Sequence, residues 1–389
     1  MNISINNTTH FKRSLKWAVA AFFFVQGLSF AAWASRIPDI KNMLHLSEGG
    51  LGTVLLALPL GLLASLPISG WMVTRYGSQR MVFIGALFYA ITLTCIGLVS
   101  STLQLVVTLF IFGLWGNLTN IAVNTQAVEV EQSLGKSIMA SFHGLWSLAG
   151  FISASIGSAF ISWQIPPSVH FIFIAIAAIA IILIANRHSF PDQGSKKSGA
   201  KQPSLWVKPD KELLILGLIG FCAMVCEGAM FDWSGVYFQE VVEAPTDLTT
   251  LGYVAFMATM TGGRFAGDWL ANRLGRTKII KISGLLMGSG LIIAIIFPYI
   301  ETATFGFLLV GLGVSSVVPL VYGATGRSKS LSAGMALAAV SSISFVGFLI
   351  GPPLIGIVAQ YSSLSWSFLI VAILASCASL LASKSKLIA

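Results

Sequence analysis

Residues 267–278 read Gly267-Asp268-Trp269-Leu270-Ala271-Asn272-Arg273-Leu274-Gly275-Arg276-Thr277-Lys278, and residues 70–80 read Gly70-Trp71-Met72-Val73-Thr74-Arg75-Tyr76-Gly77-Ser78-Gln79-Arg80. Arg-x-Gly recurs in them 198 residues apart, at Arg75 and Arg273. A second echo, Gln26-Gly27-x-x-Phe30 against Glu227-Gly228-x-x-Phe231, has an offset of 201. Two matches at nearly one offset predict a parallel internal repeat of two halves. The competing reading is chance likeness between apolar segments.

Apolar runs of membrane-spanning length surround these stretches. The first six lie at about Leu15–Ala34, Leu51–Val73, Met81–Val99, Leu103–Val128, Ile138–Ile161 and Val169–Asn186. Six more lie at about Leu213–Phe238, Leu251–Leu270, Ile279–Tyr299, Ala303–Ala324, Ala333–Ala359 and Leu364–Ala382. Each is long enough for a helix of about 20 residues across a bilayer. Of the 389 residues 56% are hydrophobic and 10% charged, with a mean hydropathy of +0.85; a soluble domain carries about 25% charge. A water-soluble globule and a disordered chain are both excluded. The expected fold is an all-α integral membrane protein of twelve transmembrane helices in two pseudo-symmetric six-helix bundles, residues 1–186 and 212–389. Between them 187–211, with six basic residues among Pro, Gly, Ser and Gln, reads as a flexible basic linker.

The net charge of +9 would suggest nucleic acid on a soluble domain, but here it reports orientation. With the N-terminus in the cytoplasm, all of the 23 Lys and Arg except Arg36, Lys41 and Arg264 fall on the cytoplasmic side. The opposite side receives Asp39, Glu48, Glu240, Glu243, Asp247 and Glu301. Both termini are expected in the cytoplasm, and the first run is expected to be retained, although Ala32-Trp33-Ala34 mimics a signal cleavage site. Cys95, Cys222, Cys226 and Cys377 lie in apolar stretches and read as small hydrophobic packing residues, so no disulfide framework or metal site is expected. No phosphate-binding Gly-Lys-Ser/Thr loop is present, and no enzyme signature, so ATP is not the expected energy source.

At the two Arg-x-Gly loops the sequence resembles the major facilitator superfamily, whose members carry a Gly-x-x-x-Asp-Arg-x-Gly-Arg-type motif between the second and third helices and a degenerate copy between the eighth and ninth. Gly70, Arg75 and Gly77 match the first copy, with Thr74 in place of the acid and Ser78 in place of the second Arg. Arg273, Gly275 and Arg276 match the second; Asn272 stands at the acid's place, and Asp268 is an acid one helical turn earlier. The resemblance spans essentially the whole chain and implies the major facilitator fold, a secondary transporter and no cofactor. Ser141-Phe-His143-Gly144 and Glu227-Gly-x-x-x-Asp232-Trp233 look most like the branch of fucose:proton symporters and related bacterial proteins.

Charge inside a membrane is costly, about 2.5 to 3.5 kcal/mol for a central ionised side chain, so ionisable residues in the spans mark mechanism. Glu227 lies about halfway along the seventh span, where the first has the neutral Gln26. It is the expected proton-coupling acid, with His143 of the fifth span a second titratable candidate. The competing reading for each is a hydrogen-bonded packing residue. Asn117, Asn120 and Asn124 form a polar stripe at i, i+3 and i+7. With Gln26, Trp146 and Trp233 they are the candidate substrate ligands, carboxamides supplying donors and acceptors and indoles a stacking face. Interhelical hydrogen bonding and aromatic packing are the alternatives. Candidate gating residues are Arg36 with Asp232 at the outer mouth, Arg75 and Arg273 as inner latches, and Arg264 with Asp268, four apart on one helix. The expected function is proton-coupled movement of a small polar solute, sugar-like or a related metabolite, across a bacterial inner membrane by a monomer working through alternating access. The alternatives are efflux of amphipathic compounds by proton antiport and a transporter-derived membrane receptor.

Overall fold

The computed structural model describes residues 2–134, 138–188, 210–328, 330–331 and 333–388, with side chains from Ser14 onward except at 132, 140, 268, 272, 333, 334 and 338. Most of the linker expected at 187–211 lies outside the described residues. Fourteen α-helices are described, and they group into two compact units.

The first unit comprises Met1–Arg36 and Ala57–Gly199. Its helices are α1 (Asn2–Ser35), α4 (Ala57–Tyr76), α5 (Ser78–Ile96), α6 (Thr102–Leu134), α7 (Met139–Ser162) and α8 (Pro167–Asn186). The second comprises Ile37–Leu56 and Ala200–Ala389. It holds the short helices α2 (Ile37–Met43) and α3 (Glu48–Leu55), then α9 (Lys211–Glu240), α10 (Leu251–Leu274), α11 (Arg276–Ile296), α12 (Ile300–Thr325), α13 (Ala333–Tyr361) and α14 (Leu364–Ala382). Among the described residues eleven stretches are long and apolar enough to cross a membrane. The expected eighth span is α10, a helix of 24 residues that carries Arg264 and Arg273 and is not among those eleven.

The repeat shows in the packing. In the first unit α1 packs on α6, α7 and α8, α4 on α6, and α5 on α6 and α8. In the second unit α9 packs on α12, α13 and α14, α10 on α12, and α11 on α12 and α14, the same pattern helix for helix. The Arg-x-Gly glycines repeat too, since Gly77 has φ 91° and ψ 150° and Gly275 has φ 81° and ψ 147°. That conformation is essentially reserved for glycine, because a Cβ would clash with the backbone. The motif therefore encodes a two-helix turn in each half.

Helices approach closely through small residues, as membrane bundles require. A Cβ on Gly113 of α6 would meet the Leu58 carbonyl of α4, and one on Gly311 of α12 would meet the Phe256 carbonyl of α10, the same crossing in the other unit. On α8 the buried face is His170, Phe171, Ile174, Ala178 and Ile182, while Phe173, Ile176 and Ile184 are exposed. Apolar residues on the exposed face suit lipid, where helix packing has no hydrophobic drive of its own.

Hydropathy passes over α2 and runs α3 into α4, so that the single span expected at Leu51–Val73 is two helices, α3 ending at Leu55 and α4 beginning at Ala57. The chain leaves the first unit at Arg36 and re-enters it at Ala57, yet 37–56 packs within the second unit. Gly52 of α3 abuts the Pro352 carbonyl and Gly356 of α13, and the Gly49 amide donates to Gln360 Oε1 at 3.1 Å.

Candidate functional site

Helix α9 starts at a built cap: the Asp210 side chain accepts from the Leu213 amide at 2.8 Å and from the Ser330 hydroxyl at 2.5 Å. The Leu213 amide and the Ser330 hydroxyl hold the Asp210 carboxyl below its usual range. From there thirty residues run to Glu240, most of them buried, with Glu227 in the interior.

Glu227 Oε1 accepts from Arg264 Nη2 of α10 at 2.9 Å. The two side chains are only 10% and 16% exposed. A lone charge at such a position is costly, and an opposite charge on the adjacent helix offsets much of that cost. Helices α12 and α13 also pack on α9, and Ser344 of α13 lies against Gly217 and Gly220, N-terminal to the ion pair on α9. Ser344 Oγ donates to the Val340 carbonyl of its own helix at 2.8 Å. A carboxylate and a guanidinium from two helices thus meet in the interior of the second unit. Arg264 was expected to pair with Asp268; its described carboxylate partner is Glu227, and the Asp268 side chain lies outside the described residues.

Asp232, one and a half turns further along α9, is buried, and so is its neighbour Trp233, whose indole N–H has no hydrogen-bond acceptor among the described residues. In the first unit Gln26 Nε2 donates to the Gly116 carbonyl at 3.0 Å, and its buried Oε1 accepts nothing among the described residues. The echo of Gln26 and Glu227 thus pairs an amide that binds backbone with an acid that binds arginine. Asn117 is buried and donates to Ser65 Oγ of α4 at 2.7 Å, while Asn124 donates to the Asn120 carbonyl at 2.8 Å and Asn120 itself is exposed. The stripe therefore divides between a helix-helix contact and an open face. His143 is exposed, its ring edge-on to Phe23 at 5.2 Å, and Trp146 lies 5.9 Å from Phe30.

Arg36 is 2% exposed; its Nε donates to His170 Nδ1 at 3.2 Å and its Nη2 to the Ile165 carbonyl at 3.0 Å, fastening the end of α1 to α8. As the acceptor of that bond His170 carries its ring proton on Nε2. Of the inner basic residues Arg75 is exposed, and Arg273 stacks its guanidinium over the Trp269 ring at 4.4 Å.

One cluster escapes sequence reading altogether. Lys41, expected on the side opposite the cytoplasm, is buried on α2, where its Nζ pairs with Glu240 at the end of α9 and lies 3.5 Å from Glu48 Oε1 of α3. The only local signal is a lysine in a short apolar stretch, Ile37-Pro38-Asp39-Ile40-Lys41, too brief for periodicity to place.

Comparison with known proteins agrees with this architecture. The model of the Major Facilitator Superfamily matches residues 18–333 and 248–385. An uncharacterized MFS-type transporter of Yersinia pestis is 32% identical over 352 residues, covering 90% of this chain and 91% of the relative. Among solved structures, the nucleoside transporter NupG superposes with a TM-score of 0.77 at 12% identity, over 95% of this chain and 99% of that one. A D-xylose-proton symporter superposes with a TM-score of 0.76 at 14% identity, over 95% and 97%. The duplicated helix packing, the paired glycine turns and the family match over nearly the whole length lead to one conclusion: this chain belongs to the Major Facilitator Superfamily and is a multi-pass membrane transporter of small molecules, not an enzyme.

Proposed function

We propose that the protein is a proton-coupled secondary transporter that moves a small polar solute, sugar-like or a related metabolite, by alternating access across a bacterial inner membrane, with Glu227 as the coupling acid. The observation that carries this reading is the buried Glu227–Arg264 pair at 2.9 Å. A carboxylate held by a guanidinium has two arrangements, one paired and ionised, the other protonated and released, and a proton selects between them. One proton moving down a gradient equivalent to 100 mV releases about 2.3 kcal/mol, enough for roughly 50-fold accumulation. The solved D-xylose-proton symporter of the same fold is compatible with a hydroxyl-rich solute. The one-sided distribution of Lys and Arg supports cytoplasmic termini, and six helices per half with a monomeric working unit complete the proposal. Residues resembling the fucose:proton symporter branch, Ser141 to Gly144 and Glu227 to Trp233, support that placement within the family.

The test is transport in proteoliposomes carrying an inward or outward pH gradient. Wild-type protein accumulates its solute against a gradient, and Glu227→Gln retains exchange of solute across the membrane but loses uphill movement. Full uphill uptake by Glu227→Gln removes the coupling role, and accumulation only in the opposite direction makes the protein an efflux antiporter.

A further inference from the structure

The two Arg-x-Gly turns share their backbone but not their charge. At the offset of 198 residues, Arg276, Lys278 and Lys281 of α11 stand where α5 has Ser78, Arg80 and Phe83. Gly77 turns the chain as Gly275 does, so the turn itself does not require the additional cations. We propose that Arg276, Lys278 and Lys281 form a headgroup site for an anionic phospholipid of the phosphatidylglycerol type, whose acyl chains lie along the exposed face of α11. The site is independent of the coupling role given to Glu227.

The three basic side chains line a pocket of about 300 Å³ with Leu274, Gly275 and Ile388. Ile388 is 2% exposed, and the segment that carries it is tied down. The Lys386 amide and the Ser385 hydroxyl donate to Glu212 Oε2 at 2.8 and 3.2 Å, and Arg327 Nη1 donates to the Leu387 carbonyl at 3.4 Å. One wall of the pocket is thus a fixed segment from a distant part of the chain. A phosphodiester suits this place, because its charge is spread over two oxygens that guanidinium and ammonium groups bind through charge-assisted hydrogen bonds. The first-turn amides of α11 add to the same field, since the cap Gly275 has no side chain to accept from them.

Below the cations the helix becomes apolar. Lys278, Lys281, Ile282 and Leu285 fall at i, i+3, i+4 and i+7, on one face of α11. Ile282 is 37% and Leu285 60% exposed, and about 10 Å of helix separates Lys278 from Leu285. The face passes from cation to hydrocarbon in the order in which a lipid presents its phosphate and its acyl chains. A free phosphate would use only the charged end of it. Scattered surface cations attract anionic lipid without a fixed place; these three share one pocket and continue into one apolar face.

Thermal shift of the purified full chain in an uncharged detergent tests this, with phosphatidylglycerol, phosphatidylcholine of the same acyl chains, glycerophosphate and inorganic phosphate as probes. Phosphatidylglycerol is expected to raise the melting temperature saturably, and the other three are not. Lys278→Gln/Lys281→Gln is expected to lose most of that shift. Lys384→Gln/Lys386→Gln, which removes two cations that do not line the pocket, keeps it. If the first double variant does not fold, Lys281→Gln alone, with bound lipid counted by native mass spectrometry, gives the same comparison. No shift from phosphatidylglycerol, an equal shift from phosphatidylcholine, a full shift in Lys278→Gln/Lys281→Gln, or equal losses in the two double variants overturn the inference. A shift from glycerophosphate or phosphate as large as the lipid's makes this a free-phosphate site and overturns the lipid assignment.

Discussion

Arg264 Nη2 of α10 lies 2.9 Å from Glu227 Oε1 of α9, a contact between residues 37 apart in sequence that joins two helices of one unit through a buried ion pair. Removing one partner leaves the other charge buried, which costs about 3 kcal/mol. Arg264→Gln is therefore expected to melt well below the wild type, and Glu227→Gln/Arg264→Gln to recover part of the loss. A double-mutant cycle on chemical denaturation measures this, and strictly additive losses would show that the pair has no coupling energy.

Lys41 stands between two carboxylates, Glu48 and Glu240, from different helices. Lys41→Met removes the cation and leaves two like charges facing each other, whereas Glu48→Gln leaves Lys41 paired with Glu240. The first variant is expected to lose about 2 kcal/mol and the second less than about 1 kcal/mol. Thermal melts of the two should rank them in that order; an equal or reversed ranking would sink the account.

Gly275 has φ 81°, and a Cβ there would meet nothing within 4 Å. Gly275→Ala thus meets no neighbouring helix and carries only local backbone strain, worth about 1 to 3 kcal/mol. Gly70, also part of the loop motif, lies inside α4 with open space around it. Gly70→Ala is expected to be neutral or stabilising by up to about 1 kcal/mol. Comparing the two melting temperatures separates a glycine kept for its φ from one that is not.

Asp210 caps α9, and its carboxyl is held below the usual carboxylate range by the Leu213 amide and the Ser330 hydroxyl. A depressed carboxyl stabilises the fold fully above its unfolded-state value, and this stability is lost as the pH falls through the folded-state value. Asp210→Asn keeps a side-chain acceptor at the cap and drops the titration. A plot of melting temperature against pH should therefore be flatter for Asp210→Asn than for the wild type on the acid side, and identical slopes would contradict it.

Much of the architecture was legible in sequence, for local reasons. Membrane-spanning length is a property of each apolar run by itself, because a helix satisfies its own backbone in lipid. The runs at 169–186 and 364–382 accordingly reappear as α8 and α14 almost unchanged. Arg-x-Gly was equally readable, since the φ of Gly77 and Gly275 is one that a side chain forbids. Glu227 was singled out on cost alone, as a carboxyl in an apolar run.

What tertiary structure decided is which helix each residue meets. Periodicity states that a helix has a buried face and is silent on the neighbour across it, so Arg264 read equally well as a partner of Asp268 one turn away. Only the crossing of α9 with α10 gives it Glu227. The same limit hid Lys41, whose partners at Glu48 and Glu240 come from 7 and 199 residues along the chain, and the docking of 37–56 onto the second unit. The sequence by itself determined the helices, the repeat and the costly charges, because these follow from local composition and backbone sterics. Charge partners were decided by the fold alone, because ion pairs form across helix faces that only packing brings together.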